Sequence, residues 1–446
     1  MFTRNILKEL DKWSLNNDRK PLILRGARQV GKTTIIDIFS KKFDQYIYLN
    51  LDTKDDKDLF ERNYNISDLI AAIFLYKKKS QDKKTLIFID EIQNSSQAVA
   101  MMRYFYEDSK ASKFYVIAAG SLLETLIDTK ISFPVGRVEY LFLYPLNFKE
   151  FLMAMDEDEI LEILQKIPIS NFAHEKILKL FNLYTLIGGM PEIVENYKKH
   201  QDIIALNNVY ESLLNSYLDD VSKYARNDLT QNVIRHCIES APFEAGGRIK
   251  FQGFGNSNYR SREVGEALRS LERAMIINLV YPSTSIKLPI VPNFKKSPKL
   301  QFLDTGLINY FVGLQKDIFN SQNLDLVYGG KIIEHIVGQE LISIHNERKK
   351  NFNFWVREDK RSNAELDFLF PFEQYVIPIE VKSGKTGRLR SLHEFMKKTN
   401  HDYAVRLYAD KFSIDDINFS GVNYKLLNLP YYLGYWVGDY LEYYVR

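Results

Sequence analysis

The chain has 446 residues, which exceeds one comfortable hydrophobic core, so two or three domains are expected. With 45% hydrophobic and 26% charged residues the composition is that of an ordinary soluble protein, and a net charge of +3 is too small to indicate a nucleic-acid partner by itself. The single cysteine, Cys237, excludes a disulfide framework and fits a reducing cytoplasm. No signal-peptide core or membrane-length apolar stretch occurs, so we expect a cytoplasmic protein without a membrane segment.

The first informative segment predicts a strand, a glycine-rich turn and a helix. Pro21–Arg25 is a short apolar strand, and Lys32–Lys42 has the pattern of the helix that follows. The turn reads G-x-x-x-x-G-K-T, the phosphate-binding P-loop, and comprises Gly26, Ala27, Arg28, Gln29, Val30, Gly31, Lys32, Thr33 and Thr34. We therefore predict bound ATP, with Lys32 on the β- and γ-phosphates and Thr33 on Mg²⁺. The alternative is a chance match in a basic turn, which the flanking pattern disfavours.

A second motif follows about 60 residues later, where a buried strand ends in two carboxylates. Leu86–Ile89 is continuously apolar, and Asp90 and Glu91 come directly after it. Asp90 is predicted to support the magnesium ion through water, and Glu91 to polarise the attacking water. An acidic pair after a strand is weak evidence alone, but its position after a P-loop makes ATP hydrolysis the expected activity.

Further strands alternate with helices and predict an α/β fold, a parallel sheet with helices on both faces. They are Tyr46–Asn50, Phe114–Ala118 and Val138–Leu143. Ser121 follows the second of these, where it either touches the γ-phosphate or caps the next helix. Arg137 precedes the third, where it either stabilises charge on a neighbouring subunit's γ-phosphate or is an ordinary surface arginine.

The middle of the chain has helical patterns followed by a basic segment. The predicted helices include Phe148–Asp156, Glu157–Ile167, His174–Tyr184 and Asp202–Tyr224. Gly188–Pro191 interrupts them as a hinge or a plain connector.

An amphipathic helix, Ser261–Ala274, has Arg262, Arg269 and Arg273 on its outer face. The strand Ile276–Tyr281 and the basic loop Lys295–Lys299 follow it. This order predicts a winged helix that contacts DNA, and the alternative is a solvated basic face.

The last quarter predicts a second chemical centre. Strands Glu365–Phe370 and Tyr375–Lys382, joined by a turn at Pro371, bring Asp367 to the face that carries Glu380 and Lys382, because side chains alternate along a strand. Glu334, on the helix before them, is a fourth member. The three carboxylates are predicted to bind Mg²⁺, and Lys382 to act catalytically rather than as a ligand, for attack of water on a phosphodiester. The alternative is an ion pair of Glu380 with Lys382 on an exposed sheet edge.

The D…E-x-K arrangement resembles the PD-(D/E)xK nuclease superfamily, and the whole chain resembles AAA-type (AAA+) ATPases of bacteria and archaea that carry a carboxyl-terminal nuclease-like domain of unknown function. The supporting motifs, besides the P-loop and Phe88–Gln93, are Gly120-Ser121, Gly136-Arg137, Tyr144–Leu146, Gly188–Pro191, Asp304–Leu307 and Glu380–Gly384. Leu366 stands where the family usually has valine. The resemblance implies an AAA+ ATPase core (1–146), a helical lid (147–224), a winged-helix-like domain (225–298) and a PD-(D/E)xK nuclease-like domain (299–446).

We therefore expect an ATP-hydrolysing enzyme with Mg²⁺ that acts on or near DNA, and metal-dependent DNA cleavage is a second, less supported activity. Two alternatives stay open. One is a nucleotide-controlled binding switch with a carboxyl-terminal domain that docks without cleaving, and the other is a protein-remodelling ATPase. The expected partners are ATP and DNA, with a homo-oligomer or a protein partner left open.

Overall fold

The computed structural model describes residues 2–120, 136–221, 227–314, 330–344, 353–357, 364–382, 384 and 389–445. These residues form two compact units. The amino-terminal unit contains the chain up to Tyr144 together with Arg273–Ile276. The carboxyl-terminal unit contains Pro145–Glu272, Ile277–Ile344 and the described residues from Asn353 onward. In this described part of the chain, no helix is long and apolar enough to cross a membrane.

A five-stranded parallel sheet forms the centre of the amino-terminal unit, as the alternating pattern predicted. Its strands are β1 (Leu22–Arg25), β2 (Gln45–Asn50), β3 (Thr85–Asp90), β4 (Tyr115–Gly120) and β5 (Glu139–Phe142). Their order is β2-β3-β4-β1-β5, and all neighbours run parallel. β1 and β3 are buried at every position, which explains their continuous apolar sequences. Because the strands are parallel, β1 and β3 end at the same edge of the sheet.

Six α-helices lie in the described residues of the amino-terminal unit. They are α1 (Ile6–Leu15), α2 (Lys32–Ser40), α3 (Lys54–Glu61), α4 (Ile66–Tyr76), α5 (Ser96–Met101) and α6 (Tyr104–Glu107). Between β3 and β4 the chain thus forms two short helices, α5 and α6, rather than one continuous helix. Ser95 fixes the start of α5 by accepting a hydrogen bond from the Ala98 N–H, and the extended Asp108 ends α6.

The carboxyl-terminal unit contains most of the helices. They are α7 (Phe148–Ala154), α8 (Asp158–Leu164), α9 (His174–Ile187), α10 (Pro191–His200), α11 (Asn207–Asp219), α12 (Asp228–Glu244), α13 (Ser261–Arg273), α14 (Thr305–Val312), α15 (Lys331–Ser343), α16 (Arg390–Met396) and α17 (Val437–Val445). The predicted helices are present with shifted ends. In α13 the apolar side chains of Val264, Leu268 and Leu271 are buried and Arg262 and Arg269 are exposed, as the amphipathic pattern predicted, but Arg273, also predicted on the outer face, is half-buried.

The carboxyl-terminal unit also contains an eight-stranded mixed sheet. Its strands are β6 (Ile277–Ser283), β7 (Lys299–Phe302), β8 (Asn353–Val356), β9 (Glu365–Phe372), β10 (Tyr375–Val381), β11 (Tyr403–Tyr408), β12 (Ser413–Phe419) and β13 (Val422–Pro430), in the order β12-β13-β11-β10-β9-β8-β6-β7. The predicted boundary between residues 298 and 299 falls between paired strands, because Val280 on β6 lies opposite Lys299 on β7.

The turn between β9 and β10 corrects one expectation. It was predicted at Pro371, but Pro371 lies within β9 and pairs with Val376. Phe372 pairs with Tyr375, so residues 373 and 374 form a two-residue turn. Glu373 has φ of 48°, the left-handed conformation that such tight hairpin turns require. The proline therefore marked the end of a strand rather than the turn itself.

Candidate functional site

The P-loop forms the connection between β1 and α2, where the sequence placed it. Two residues in it are left-handed, Gln29 with φ of 63° and Gly31 with φ of 95°. At Gly26 an added Cβ would lie 2.6 Å from the Leu143 carbonyl oxygen, so only glycine fits beside this neighbouring chain segment. The turn delivers the chain to α2, whose first residue is Lys32. Backbone N–H groups at a helix start of this kind can bind phosphate.

Lys32 is held over the turn by the turn's own backbone. Its Nζ donates to the carbonyl oxygens of Gly26 at 3.0 Å and Ala27 at 2.9 Å, and the residue is 8% exposed. The ammonium thus lies above the loop that would cradle a phosphate. This placement suits charge pairing with an anion in the loop.

Thr33 and Asp90 are brought together across the sheet. The Thr33 hydroxyl, in the first turn of α2, donates to Asp90 Oδ2 at 2.8 Å, although β4 lies between β3, which ends at Asp90, and β1, which precedes the P-loop. The Tyr48 hydroxyl, at 3.3 Å, also donates to Asp90 Oδ2. A hydroxyl and a carboxylate are ligands that Mg²⁺ accepts, so these residues fit the predicted ion. Tyr48 was not predicted. Its only signal in the sequence was the alternation along β2, which determines the face of the sheet on which its side chain lies.

Glu91 follows β3 directly and is half-buried. It is left-handed, with φ of 52°, and its carboxylate accepts a hydrogen bond from the Gln93 side-chain amide. Burial raises the pKa of Glu91, the nearby charges of Asp90 and Asp52 add to this, and Gln93 and Lys32 oppose it. A raised pKa makes the ionised carboxylate a stronger proton acceptor, as the predicted role requires.

Ser121 and Arg137 were also predicted to act at this site. Ser121 lies outside the described residues. Arg137 pairs with Glu107 at 2.8 Å, and its side chain is 51% exposed. It precedes β5, which runs parallel to β1, so it lies at the sheet edge opposite the P-loop of its own chain. A role on another subunit's phosphate therefore stays a prediction.

The predicted acidic centre assembles in the carboxyl-terminal unit. Lys382 Nζ contacts Glu380 Oε1, and the Val381 N–H donates to Asp367 Oδ2 at 2.8 Å. β10 lies between β9 and β11, and Glu380 is 6% exposed, so the pair is not on an exposed sheet edge. Strand alternation was sufficient to predict this grouping.

A lysine that the sequence analysis missed lies among these carboxylates. Lys299 Nζ is 2.6 Å from Glu334 Oε1, 2.9 Å from Glu365 Oε1 and 3.5 Å from Asp367 Oδ1. The residue is 7% exposed. Burial alone would lower its pKa, but the charges of Glu334, Asp367 and Glu365 outweigh burial and raise it. Lys299 was assigned to a basic loop, whereas it is the first residue of β7.

Burial also shifts two of the carboxyl groups. It raises the pKa of Glu334 to about 7 and that of Glu380 to about 8, and the charge of Asp367 adds to both shifts. Among the described residues, no three His, Cys, Asp or Glu side chains are arranged to hold a metal ion. The Lys299 ammonium lies where their oxygens approach one another, so the set does not fit a divalent ion while Lys299 is in place.

The Gly188-Gly189 and Asp304 motifs meet in a buried network of the same unit. Asp304 accepts from the N–H groups of Gly189 at 2.7 Å, Gly306 at 3.0 Å and Leu307 at 3.3 Å. An added Cβ at Gly188 would lie 2.0 Å from Asp304 Oδ1. The glycine pair is therefore a tightly packed connector, one of the two alternatives that its sequence left open.

Comparison with known proteins divides the chain into three segments. Residues 18–152 match the model of an AAA domain, residues 178–318 a domain of unknown function (DUF8612), and residues 329–432 a domain of unknown function (DUF4143). An uncharacterized protein of Methanocaldococcus jannaschii is 21% identical over 408 residues, which cover 86% of this chain and 80% of that protein.

Similar solved structures include the Walker-type ATPase PabY2304 of Pyrococcus abyssi, with 14% identity and a TM-score of 0.44, covering 70% of this chain and 96% of that one. The Aeropyrum pernix Orc1 protein, solved in complex with DNA, has 12% identity and a TM-score of 0.32, covering 70% and 93%. The P-loop geometry and the family match agree: residues 18–152 form an AAA-type P-loop ATPase domain, and the same chain carries a carboxyl-terminal domain of unknown function, DUF4143.

Proposed function

We propose that this protein hydrolyses ATP with Mg²⁺ at the P-loop and that its carboxyl-terminal unit binds DNA without cleaving it. The observation that carries the first part is the convergence of Lys32, Thr33, Asp90 and Glu91 at one sheet edge, with Thr33 hydrogen-bonded to Asp90 at 2.8 Å. A P-loop lysine, a metal-binding hydroxyl, an acidic metal support and a carboxylate base are the parts that phosphoryl transfer to water needs.

Each residue has a separate task in this proposal. Lys32 pairs with the β- and γ-phosphates, while the N–H groups of the turn and of the start of α2 hold the same oxygens. Thr33 and Asp90 would hold Mg²⁺, which neutralises phosphate charge when bound. Glu91 orients the attacking water and accepts its proton, and Gln93 fixes the Glu91 carboxylate.

Nucleotide binding and turnover in two variants test this assignment. Lys32→Ala is expected to abolish ATP binding, because the loop loses the lysine that the motif places on the β- and γ-phosphates. Glu91→Gln is expected to bind ATP normally and to lose turnover by at least about 100-fold, as for a missing general base. Lys42→Ala, at an exposed lysine just after α2, is the matched control and should leave both unchanged. Normal turnover in Glu91→Gln would show that another group activates water.

DNA binding is supported by the arrangement around α13. Helices α12 and α13 precede the antiparallel pair β6–β7, and Arg248 forms an additional bridge to Lys299 on β7. This is the order of elements in a winged helix. Arg262 and Arg269 are exposed on α13, and Lys287 and Lys295 are exposed in the segment between β6 and β7. Four exposed cations on one module suit contacts to phosphates.

Fluorescence anisotropy with a labelled duplex tests this surface. The double variant Arg262→Gln/Arg269→Gln should bind at least about tenfold more weakly and show a shallower dependence on salt, since phosphate contacts release counterions. Arg235→Gln is the control, because it removes an exposed arginine charge on α12 rather than on α13. Equal binding by all variants would refute a role for α13. ATP turnover measured with and without the duplex would show whether DNA regulates hydrolysis.

DNA cleavage is the second candidate, because Asp367, Glu380, Lys382 and Glu334 do lie together. Its test is incubation of plasmid with the protein in Mg²⁺ or Mn²⁺, with Asp367→Ala as the control. We rank it below binding because Lys299 lies among these carboxylates.

A further inference from the structure

We infer that the Lys299 ammonium is the permanent cation of the acidic cluster, in the place where a PD-(D/E)xK nuclease would carry a divalent metal, so that this cluster is a metal-independent structural centre. The acidic cluster is here defined as Glu334, Glu365, Asp367 and Glu380. The inference concerns the carboxyl-terminal unit alone, and it does not depend on ATP hydrolysis.

The contacts of Lys299 are those of a central cation. Its Nζ lies within 3.5 Å of carboxylates from two elements, Glu334 on α15 and both Glu365 and Asp367 on β9. A metal shared by Glu334 and Asp367 would have to approach the same oxygens. Two cations cannot share these oxygens closely without strong mutual repulsion, because the carboxylates are partly buried.

The charge balance of the centre supports the same conclusion. Among the residues that the structure describes, four carboxylates face three cations, since Arg248 pairs with Glu365 at 3.3 Å and Lys382 with Glu380, in addition to Lys299. If all groups are ionised, one negative charge remains, which is too little for a divalent ion. Without Lys299 two negative charges would remain, which is what a divalent ion balances.

Lys299 is also fixed in position. It lies opposite Val280 in the β6–β7 pair and forms a bridge with Arg248. Its ammonium is 4.9 Å from the centre of the Phe354 ring, and its side chain is 9% exposed. Moving it aside for a metal would break three ion pairs and leave three partly buried carboxylates without this cation. The ammonium is thus part of the folded unit rather than a mobile surface charge.

Titration with Mn²⁺ tests the inference, with free Mn²⁺ followed by electron paramagnetic resonance. All proteins carry Asp90→Ala so that the predicted ATPase metal site does not contribute. With Lys299 present, we expect no Mn²⁺ binding that is sensitive to Asp367→Asn or Glu380→Gln. Adding Lys299→Met should create one Mn²⁺ site, with an affinity at least tenfold higher than that of any Mn²⁺ binding seen with Lys299 present. Adding Asp367→Asn to that variant should remove the site again.

Lys382→Met is the matched control, because it removes the same charge but leaves the Lys299 ammonium in the centre. It should create no site. Binding with Lys299 present that Asp367→Asn abolishes would overturn the inference, as would an equal gain in Lys382→Met or no gain in a folded Lys299→Met protein. If circular dichroism shows that Lys299→Met does not fold, the comparison of the Lys299-containing protein with its Asp367→Asn and Glu380→Gln variants still decides the question.

Discussion

The surroundings of Glu340 on α15 predict how strongly the stability of the fold depends on pH. Its Oε1 accepts hydrogen bonds from the Phe148 N–H at 2.9 Å and the Tyr184 hydroxyl at 2.8 Å, while Oε2 is buried with no hydrogen-bond partner among the described residues. Burial raises the pKa of Glu340 to about 8, and the hydrogen bonds from Tyr184 and Phe148 only partly oppose this shift. Glu340→Gln keeps an acceptor of the same shape and removes the titration.

The direction of the effect follows from linkage. Because the folded pKa lies above the unfolded value, Glu340 stabilises the fold fully below pH 4.5, and this contribution is lost as the pH rises through 8. Between these values the loss is about 1.4 kcal/mol per pH unit, so it amounts to roughly 3 kcal/mol from pH 5 to pH 7. Glu340→Gln does not incur this loss. The melting temperature of the variant should therefore rise relative to the wild type by roughly 5 °C over this interval.

The assay is differential scanning calorimetry of both proteins at several pH values between 5 and 9. Other groups titrate as well, but they are common to both proteins, so the difference isolates residue 340. Glu162→Gln, at an exposed position of α8, is the control and should follow the wild type. Parallel curves for Glu340→Gln and the wild type over the whole range would refute the assignment of a raised pKa to this carboxyl.

Two further predictions concern Gln93 and Gly188. Gln93→Ala should shift the acidic limb of ATP turnover to higher pH, by up to about one unit, because the amide that stabilises the ionised Glu91 is lost; an unchanged pH–rate profile would contradict this. Gly188→Ala should destabilise the fold by about 3 kcal/mol or more, since its Cβ would lie 2.0 Å from Asp304 Oδ1 at a φ of 78°. Gly313→Ala, with φ of 74° and no atom of the described residues within 4 Å of an added Cβ, should show only the smaller backbone cost in denaturant unfolding.

The ATPase site could be predicted because its signals are local. The P-loop and the Asp90-Glu91 pair each lie next to a buried strand, and parallel pairing brings the ends of such strands to one edge. The Thr33–Asp90 contact follows from that geometry. Tyr48 could not be predicted in the same way, since its role depends on β2 lying next to β3 in the sheet order.

The carboxyl-terminal centre was predicted only in part. Strand alternation was enough to group Asp367, Glu380 and Lys382. Lys299 escaped prediction because it lies in a lysine-rich stretch that resembles a loop, and its partners come from α15 and β9, far along the chain. The turn at Pro371 was wrong because the proline signal outweighed Glu373, whose left-handed conformation has no sequence marker as strong as glycine.

The position of β6 in the larger sheet bears on how this chain can be divided. β6 lies between β7 and β8, and it pairs with β8 from Tyr281, opposite Asn353, to Ser283, opposite Trp355. A fragment that began at residue 299 would contain β7 and β8 but not the strand that separates them. The edges of both would then be open to pairing with a second copy, a common route to swapped dimers and aggregates. Expression of the carboxyl-terminal part should therefore start before β6, so that the hairpin and the acidic cluster are kept together.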